Sequence, residues 1–271
     1  MCELLGLCFN KPVRTEVSFR GFRPRAKDNP DGWGIARFEG PACQVFKEPL
    51  QADKSALAEF LCDCQLLQST IFIAHVRDAS KGGVALKNTH PFVRAFGRRE
   101  VVLAHNGTLE LEAGTPEHYR PVGDTDSELL LCLLLSEMSQ RCIGFDAYRA
   151  IEQLLQQYNR CGTMNVLFSE GEHLYAYTER TAYQPEEGNG AGRLRNGLFV
   201  VQRQSSFGKV SLEDEDWQID LDEAKNPELT GVVIATRPLT SGEQEHWQRL
   251  SPGTLTVFKQ GRQVYPPATN A

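Results

Sequence analysis

The sequence predicts an α+β fold of mixed layers with largely antiparallel sheets. Short segments rich in β-branched or aromatic residues, bounded by turn chemistry, occur before, between and after the helical segments. They do not alternate with helices in the regular order that builds a parallel sheet. Two of them are joined only by Glu170-Gly171-Glu172, which reads as a hairpin connection.

In chain order the strand candidates are Leu4–Phe9, Gly34–Phe38, Thr70–Val76, Val101–His105, Met164–Ser169, Leu174–Thr178, Leu198–Gln202 and Val232–Thr236. A helix over Asp53–Leu67 follows from Leu57, Phe60, Leu61 and Cys64 at helical spacing. A second, Ser127–Met138, is nearly all apolar and is expected to be buried between layers. Its entry signal is Thr125-Asp126-Ser127-Glu128, the pattern of a capping box. A third, Phe145–Tyr158, carries Ile151, Leu154 and Leu155. Pro185–Asn196, made of Glu, Asn, Gly and Arg, reads as a mobile loop within one continuous domain spanning 2–271.

Composition bounds the function. The 271 residues can bury a substantial core, and the formal net charge of −6 argues against general binding to nucleic acid or anionic membranes. A local basic run, Arg14, Arg20, Arg23, Arg25 and Lys27 interleaved with Phe19 and Phe22, is expected as a solvated loop rather than an anion grip. Glu213-Asp214-Glu215-Asp216 beside Trp217 is read in the same way. No apolar run reaches membrane-spanning length, and the first residues lack a basic signal-peptide region. The eight scattered cysteines form no C-x-x-C pair, so reduced thiols in a cytoplasmic protein, most of them core residues, are expected.

One cysteine stands apart. Cys2 follows the initiator methionine, which aminopeptidases remove when the next side chain is small. Processing would leave a residue carrying both a thiol and a free α-amine, a nucleophile and a base together. Four segments accompany it. Asp31-Gly32-Trp33-Gly34 reads as a turn feeding a strand. In Ala74-His75-Val76-Arg77-Asp78-Ala79-Ser80, alternation puts His75 and Arg77 on the same side, and an arginine at a strand end can fork onto a carboxylate. Ala104-His105-Asn106-Gly107 ends a strand in an apparent tight turn, offering the Asn106 amide and the Gly107 N–H as adjacent donors, the requirement of an oxyanion hole. Asp126, in the first turn of its helix, can meet a substrate ammonium or simply complement the helix dipole.

Taken in order, Cys2, Asp31-Gly32-Trp33-Gly34, His75-Val76-Arg77, Asn88-Thr89-His90-Pro91-Phe92, His105-Asn106-Gly107 and Thr125-Asp126-Ser127-Glu128 resemble the class II glutamine amidotransferases. The likeness is dense from Cys2 to Glu128 and looser through Ala235-Thr236-Arg237-Pro238-Leu239-Thr240, and it is greatest to the stand-alone bacterial members. It implies a four-layer αββα N-terminal-nucleophile hydrolase sandwich with two stacked sheets. It also implies roles: Cys2 as nucleophile with its α-amine as base, Asn106 and Gly107 as oxyanion donors, Arg77 on the α-carboxylate and Asp126 on the α-ammonium of glutamine. The reaction implied is hydrolysis through a γ-glutamyl thioester, with no cofactor and no metal.

Asp78 departs from the pattern of the large amidotransferases, which have tryptophan after the arginine. Ser80 is the residue expected to take over a carboxylate contact. His75 and His105 have no assigned role, and His90 is expected to be structural. Three readings stay open: a glutaminase passing ammonia to a separate synthase chain, a hydrolase of a larger γ-glutamyl conjugate, and a non-catalytic glutamine-binding subunit.

Overall fold

The computed structural model describes residues 2–14, 16–64, 66–112, 118–185, 194–204, 209–212, 218–220, 228–241 and 246–267. Its strands are β1 (Glu3–Arg14), β2 (Trp33–Glu39), β3 (Ala42–Glu48), β4 (Gln68–Val76), β5 (Phe92–Phe96), β6 (Arg99–Leu109), β7 (Gly162–Ser169) and β8 (His173–Tyr177). They continue with β9 (Phe199–Gln204), β10 (Lys209–Leu212), β11 (Gln218–Asp220), β12 (Thr230–Ala235), β13 (Thr240–Ser241), β14 (Gln248–Arg249), β15 (Leu255–Lys259) and β16 (Arg262–Tyr265). The α-helices are α1 (Glu16–Phe22), α2 (Ala56–Asp63), α3 (Asp126–Gln140) and α4 (Tyr148–Tyr158).

One sheet runs β14-β9-β12-β1-β4-β2-β3 and a second runs β16-β15-β8-β7-β6-β5, with a small β11-β10-β13 sheet beside them. Every pairing within the two large sheets is antiparallel.

Strand alternation divides the apolar side chains into separate cores. From β1, Leu5, Leu7 and Phe9 point outward and pack with Phe19, Phe22 and Leu61 of the α1 and α2 layer. Leu4 and Cys8 point inward and meet Leu167, Leu174 and Ala176 of the second sheet. On that sheet's far side Leu103, Val166 and Tyr175 pack with Leu131, Leu135 and Ile151 of α3 and α4. Three cores between four layers make an αββα sandwich, and each fully buried large apolar side chain contributes about 1.5–3 kcal/mol.

Local chemistry moved several boundaries. The first predicted helix splits, because Ser55 caps α2 by accepting from Ala58 N at 2.9 Å. The cap turns Ala58, Leu61 and Cys62 inward with Leu57 and Cys64 packed against the same core, and of the expected apolar stripe only Phe60 points out, 64 % exposed. The third begins at Tyr148 instead of Phe145. The basic run is no solvated loop: Arg14 ends β1 and the rest lies in α1 and a following 3-10 turn, with Phe19 and Phe22 in the core and Arg25 buried. Three of the eight cysteines, Cys8, Cys62 and Cys132, are buried, fewer than expected. β3, β5, β15 and β16 were not read from the sequence. The ends of the Pro185–Asn196 stretch meet in a Pro185–Leu194 bridge, while 186–193 and the acidic run at 213–217 lie outside the described residues. Among the described residues no helix is long and apolar enough to cross a membrane.

Candidate active site

Cys2 immediately precedes β1, a central strand of the first sheet. Glu3 pairs with Val76, which brings the exit of β4 to the thiol. There Asp78 N–H donates to Cys2 Sγ, and the thiol donates to the Asp78 carbonyl, both at 3.1 Å. The Asp31-Gly32 turn fixes this exit: Arg77 N donates to Gly32 O at 2.7 Å, Asp31 N to Arg77 O at 3.0 Å, and Ala79 N to Asp31 Oδ2 at 2.8 Å. Gly34 lets the Asn88–Phe92 segment press onto β2, since a Cβ there would stand 2.2 Å from His90 O.

Glu3 holds the strand that follows Cys2 from inside. Its carboxylate is 4 % exposed and meets Arg237 Nε at 2.7 Å, Arg25 Nη1 at 3.3 Å and the Thr236 hydroxyl. Arg25 is equally buried, so removing the carboxylate strands a cation in the core. Glu3→Ala is therefore expected to cost about 3 kcal/mol of folding stability, read as a lowered urea midpoint. A loss below about 1 kcal/mol, the level of an exposed ion pair, would contradict this.

The oxyanion candidates are strand residues, not a turn. β6 continues past His105 to Leu109, and Asn106 and Gly107 pair with Asn165 and Met164 of β7. Gly107 has φ 152, and a Cβ there would lie 2.0 Å from Thr163 O and 2.8 Å from His105 Nε2, so only glycine fits. The Asn106 amide donates one proton to the Cys2 carbonyl, which ties it to the backbone of Cys2.

The start of α3 grips this stretch at both ends. Ser127 Oγ lies 2.8 Å from His105 Nδ1, and Asp126 Oδ2 accepts from Leu109 N at 2.7 Å. Thr125 accepts from Glu128 N at 3.2 Å, as a capping box requires. Glu128 does not complete the box, because its carboxylate accepts instead from Gly123 N at 2.6 Å and pairs with Arg94 at 2.5 Å.

The predicted residues do not all share one cavity. Cys2, Asp78, Ser80, Asn106, Gly107 and Thr108 line a space of about 180 Å³. Ser80 Oγ accepts from Thr108 Oγ1 at 3.2 Å across it. Arg77 lies behind this lining, 2 % exposed, donating to the carbonyls of Lys81, Gly82 and Gly83 at 2.9, 3.0 and 3.2 Å. Asp126 also stands behind it, its oxygens on Leu109 N and Ser127 N. Sequence reasoning missed the remaining lining, Thr163, Asn165, Glu179, Arg195 and Asn196. Thr163 and Asn165 come from the pairing of β6 with β7, Glu179 from just beyond β8, and Arg195 and Asn196 from the segment before β9, a juxtaposition that no local motif encodes.

Burial pushes the Cys2 thiol up to about 11, against the Asp78 N–H bond, which pulls it down. The resting group is a thiol that needs a base. Among the described residues both hydrogen bonds of Sγ go to the Asp78 backbone, so no histidine is in place to supply one. His105 Nε2 donates to the Thr163 carbonyl at 3.2 Å, and burial lowers the ring's pKa, so it stays neutral with Nδ1 free to accept from Ser127 Oγ. His75 and His90 stack with ring centroids 4.1 Å apart, and burial lowers both, His75 to about 3. They are interior, neutral rings, as expected for His90.

The profile of the family "Glutamine amidotransferases class-II" matches residues 1–270. The chain is 40 % identical to the uncharacterized protein MJ1515 of Methanocaldococcus jannaschii, over 98 % of its own length and 71 % of that protein's. It is 35 % identical to YafJ of Escherichia coli K12, provisionally named a glutamine amidotransferase, over 97 % of this chain and all of that one. The crystal structure of a predicted glutamine amidotransferase from Pseudomonas aeruginosa PA01 superposes with a TM-score of 0.69 at 27 % identity, covering 97 % and 99 % of the two chains. With the αββα sandwich and the order of motifs from Cys2 to Glu128, these matches show that the chain belongs to the class II glutamine amidotransferases.

Proposed function

We propose that this chain hydrolyses a γ-glutamyl amide through a thioester on Cys2 after removal of Met1, as one catalytic domain spanning 2–271. The observation that carries the proposal is the convergence of the Cys2 thiol, the Asn106 amide and Gly107 on one cavity. The freed α-amine takes the thiol proton as sulfur attacks the γ-carbonyl. Asn106 and Gly107 N–H hold the oxyanion, the γ-amide C–N bond breaks as the substrate nitrogen takes the proton from the Cys2 α-ammonium and leaves, and water cleaves the thioester to release glutamate. Arg77 serves the α-carboxylate by exchanging its carbonyl partners at 81–83, Ser80 adds a contact, and Asp126 serves the α-ammonium. The site's chemistry calls for no cofactor. Glutamine and larger γ-glutamyl amides both fit this chemistry. With glutamine the product is ammonia, which a separate synthase chain could consume.

The test is release of glutamate from L-glutamine and from γ-glutamyl compounds by the purified protein. Turnover dependent on Cys2 is expected, whereas tight glutamine binding with no turnover would favour a binding subunit.

The base has a pH signature. An α-amine titrates at about 7.7–8.0, while the thiol sits near 11. Below the amine's pKa the base is protonated and inactive, so kcat/KM is expected to rise with pH through about 8 and then level. A rise delayed to pH 11 would show that the thiolate forms without the amine.

A further inference from the structure

The cavity has a second side, reached by crossing from β6 to β7 and on past β8. Its charged member with hydrogen bonds to spare is Arg195. The guanidinium donates from Nη1 to Thr181 Oγ1 at 3.1 Å, its one hydrogen-bond partner among the described residues. Thr181 Oγ1 in turn donates to Glu179 Oε1 at 2.9 Å. Glu179 is 2 % exposed and accepts further from Thr181 N at 3.1 Å, and from Asn159 Nδ2 and Met164 N, both at 2.6 Å. Its acceptors are therefore engaged, and it orients Thr181 rather than pairing with Arg195. The main chain of Arg195 is also fixed, by Arg195 N to Gln184 O at 2.8 Å and Tyr183 N to Arg195 O at 3.0 Å. A cation that lines the cavity together with Cys2, with one hydrogen-bond partner for its five donors among the described residues, is suited to receive an anion.

We propose that Arg195 binds a carboxylate on the leaving portion of the substrate, which makes γ-glutamyl amino acids and short γ-glutamyl peptides the preferred substrate class. The proposal rests on the reaction assigned to Cys2 above. The scissile carbonyl lies at Cys2, Asn106 and Gly107, and its two substituents extend to opposite sides. Ser80, Arg77 and Asp126 take the glutamyl side, so the leaving nitrogen faces Asn165 and Arg195. Ammonia gives a guanidinium nothing to bind, and ammonium is repelled by it. An amino-acid leaving group carries a carboxylate that the planar fork matches in bidentate fashion. A loop-fixing role alone would be met by the main-chain bonds.

The test compares γ-glutamyl-glycine with γ-glutamyl-methylamide, which differ in the leaving group's carboxylate. The unsubstituted enzyme is expected to prefer γ-glutamyl-glycine in kcat/KM by about tenfold to a hundredfold. Arg195→Met should collapse that preference to about one, and Arg195→Lys should restore part of it. An unchanged preference would overturn the proposal. So would an equal fall for both compounds, which would place Arg195 on the shared glutamyl group. Binding of the same pair to the Cys2→Ala protein, by calorimetry, reads the subsite without the chemistry. If neither compound is hydrolysed, the Cys2 reaction fails, and an Arg195-dependent preference in binding still supports the subsite while its absence overturns it.

Discussion

Cys2→Ala is expected to abolish γ-glutamyl hydrolysis while leaving the protein folded and able to bind its substrate. Alanine is small enough for Met1 still to be removed, so the α-amine remains and only sulfur is lost. The side chain is half-buried and its hydrogen bonds run to the Asp78 backbone. The strand behind it is held independently by Glu3, Arg25, Thr236 and Arg237. Single-turnover measurements on glutamine and γ-glutamyl-glycine, beside calorimetric binding, separate the effects. Residual turnover within about a hundredfold of the unsubstituted enzyme would mean that another group carries the nucleophilic step.

Asn106→Ala is expected to lower kcat by about a hundredfold to a thousandfold, the usual cost of losing one oxyanion donor. One proton of the amide already binds the Cys2 carbonyl, which aims the other by geometry. The loss should fall on kcat more than KM, because the charge it stabilises exists only in the transition state. A change mainly in KM would identify Asn106 as a ground-state contact. Gly107 allows no comparable test, since any side chain there collides with Thr163 O and reshapes the strand pairing.

Much of this site could be read before the fold was seen, for a physical reason. Catalytic donors need particular residue types on short, continuous segments, and such segments survive as local patterns. Cys2 stands out by position, and Asn106-Gly107 by a pair of donors at a strand. The sequence could not say that β6 runs through the pair, because the strand partners of Thr108 and Leu109 are Thr163 and Gly162 of β7, remote in sequence. It misassigned Arg23 and Arg25 to solvent for the same reason: their partners are Ala52 O, Asp53 O, Glu3 and the 237–238 carbonyls, remote in sequence. Glu179 and Arg195 were silent because an isolated acid or arginine has no pattern until a sheet brings it to a cavity. Helices α3 and α4 were legible because apolar periodicity is local, while β15 and β16 needed β8 to explain them.

The measurement that reaches the centre of the proposed mechanism is the intact mass of the purified protein before and after exposure to 6-diazo-5-oxo-norleucine, a glutamine mimic that traps such a thiol. Loss of Met1 together with a single adduct on Cys2 is expected, joining the free α-amine, the nucleophile and a glutamyl-shaped pocket in one result. Retained Met1 in protein that still turns over substrate would contradict it, because the residue's nitrogen would then be an amide and could not act as the base.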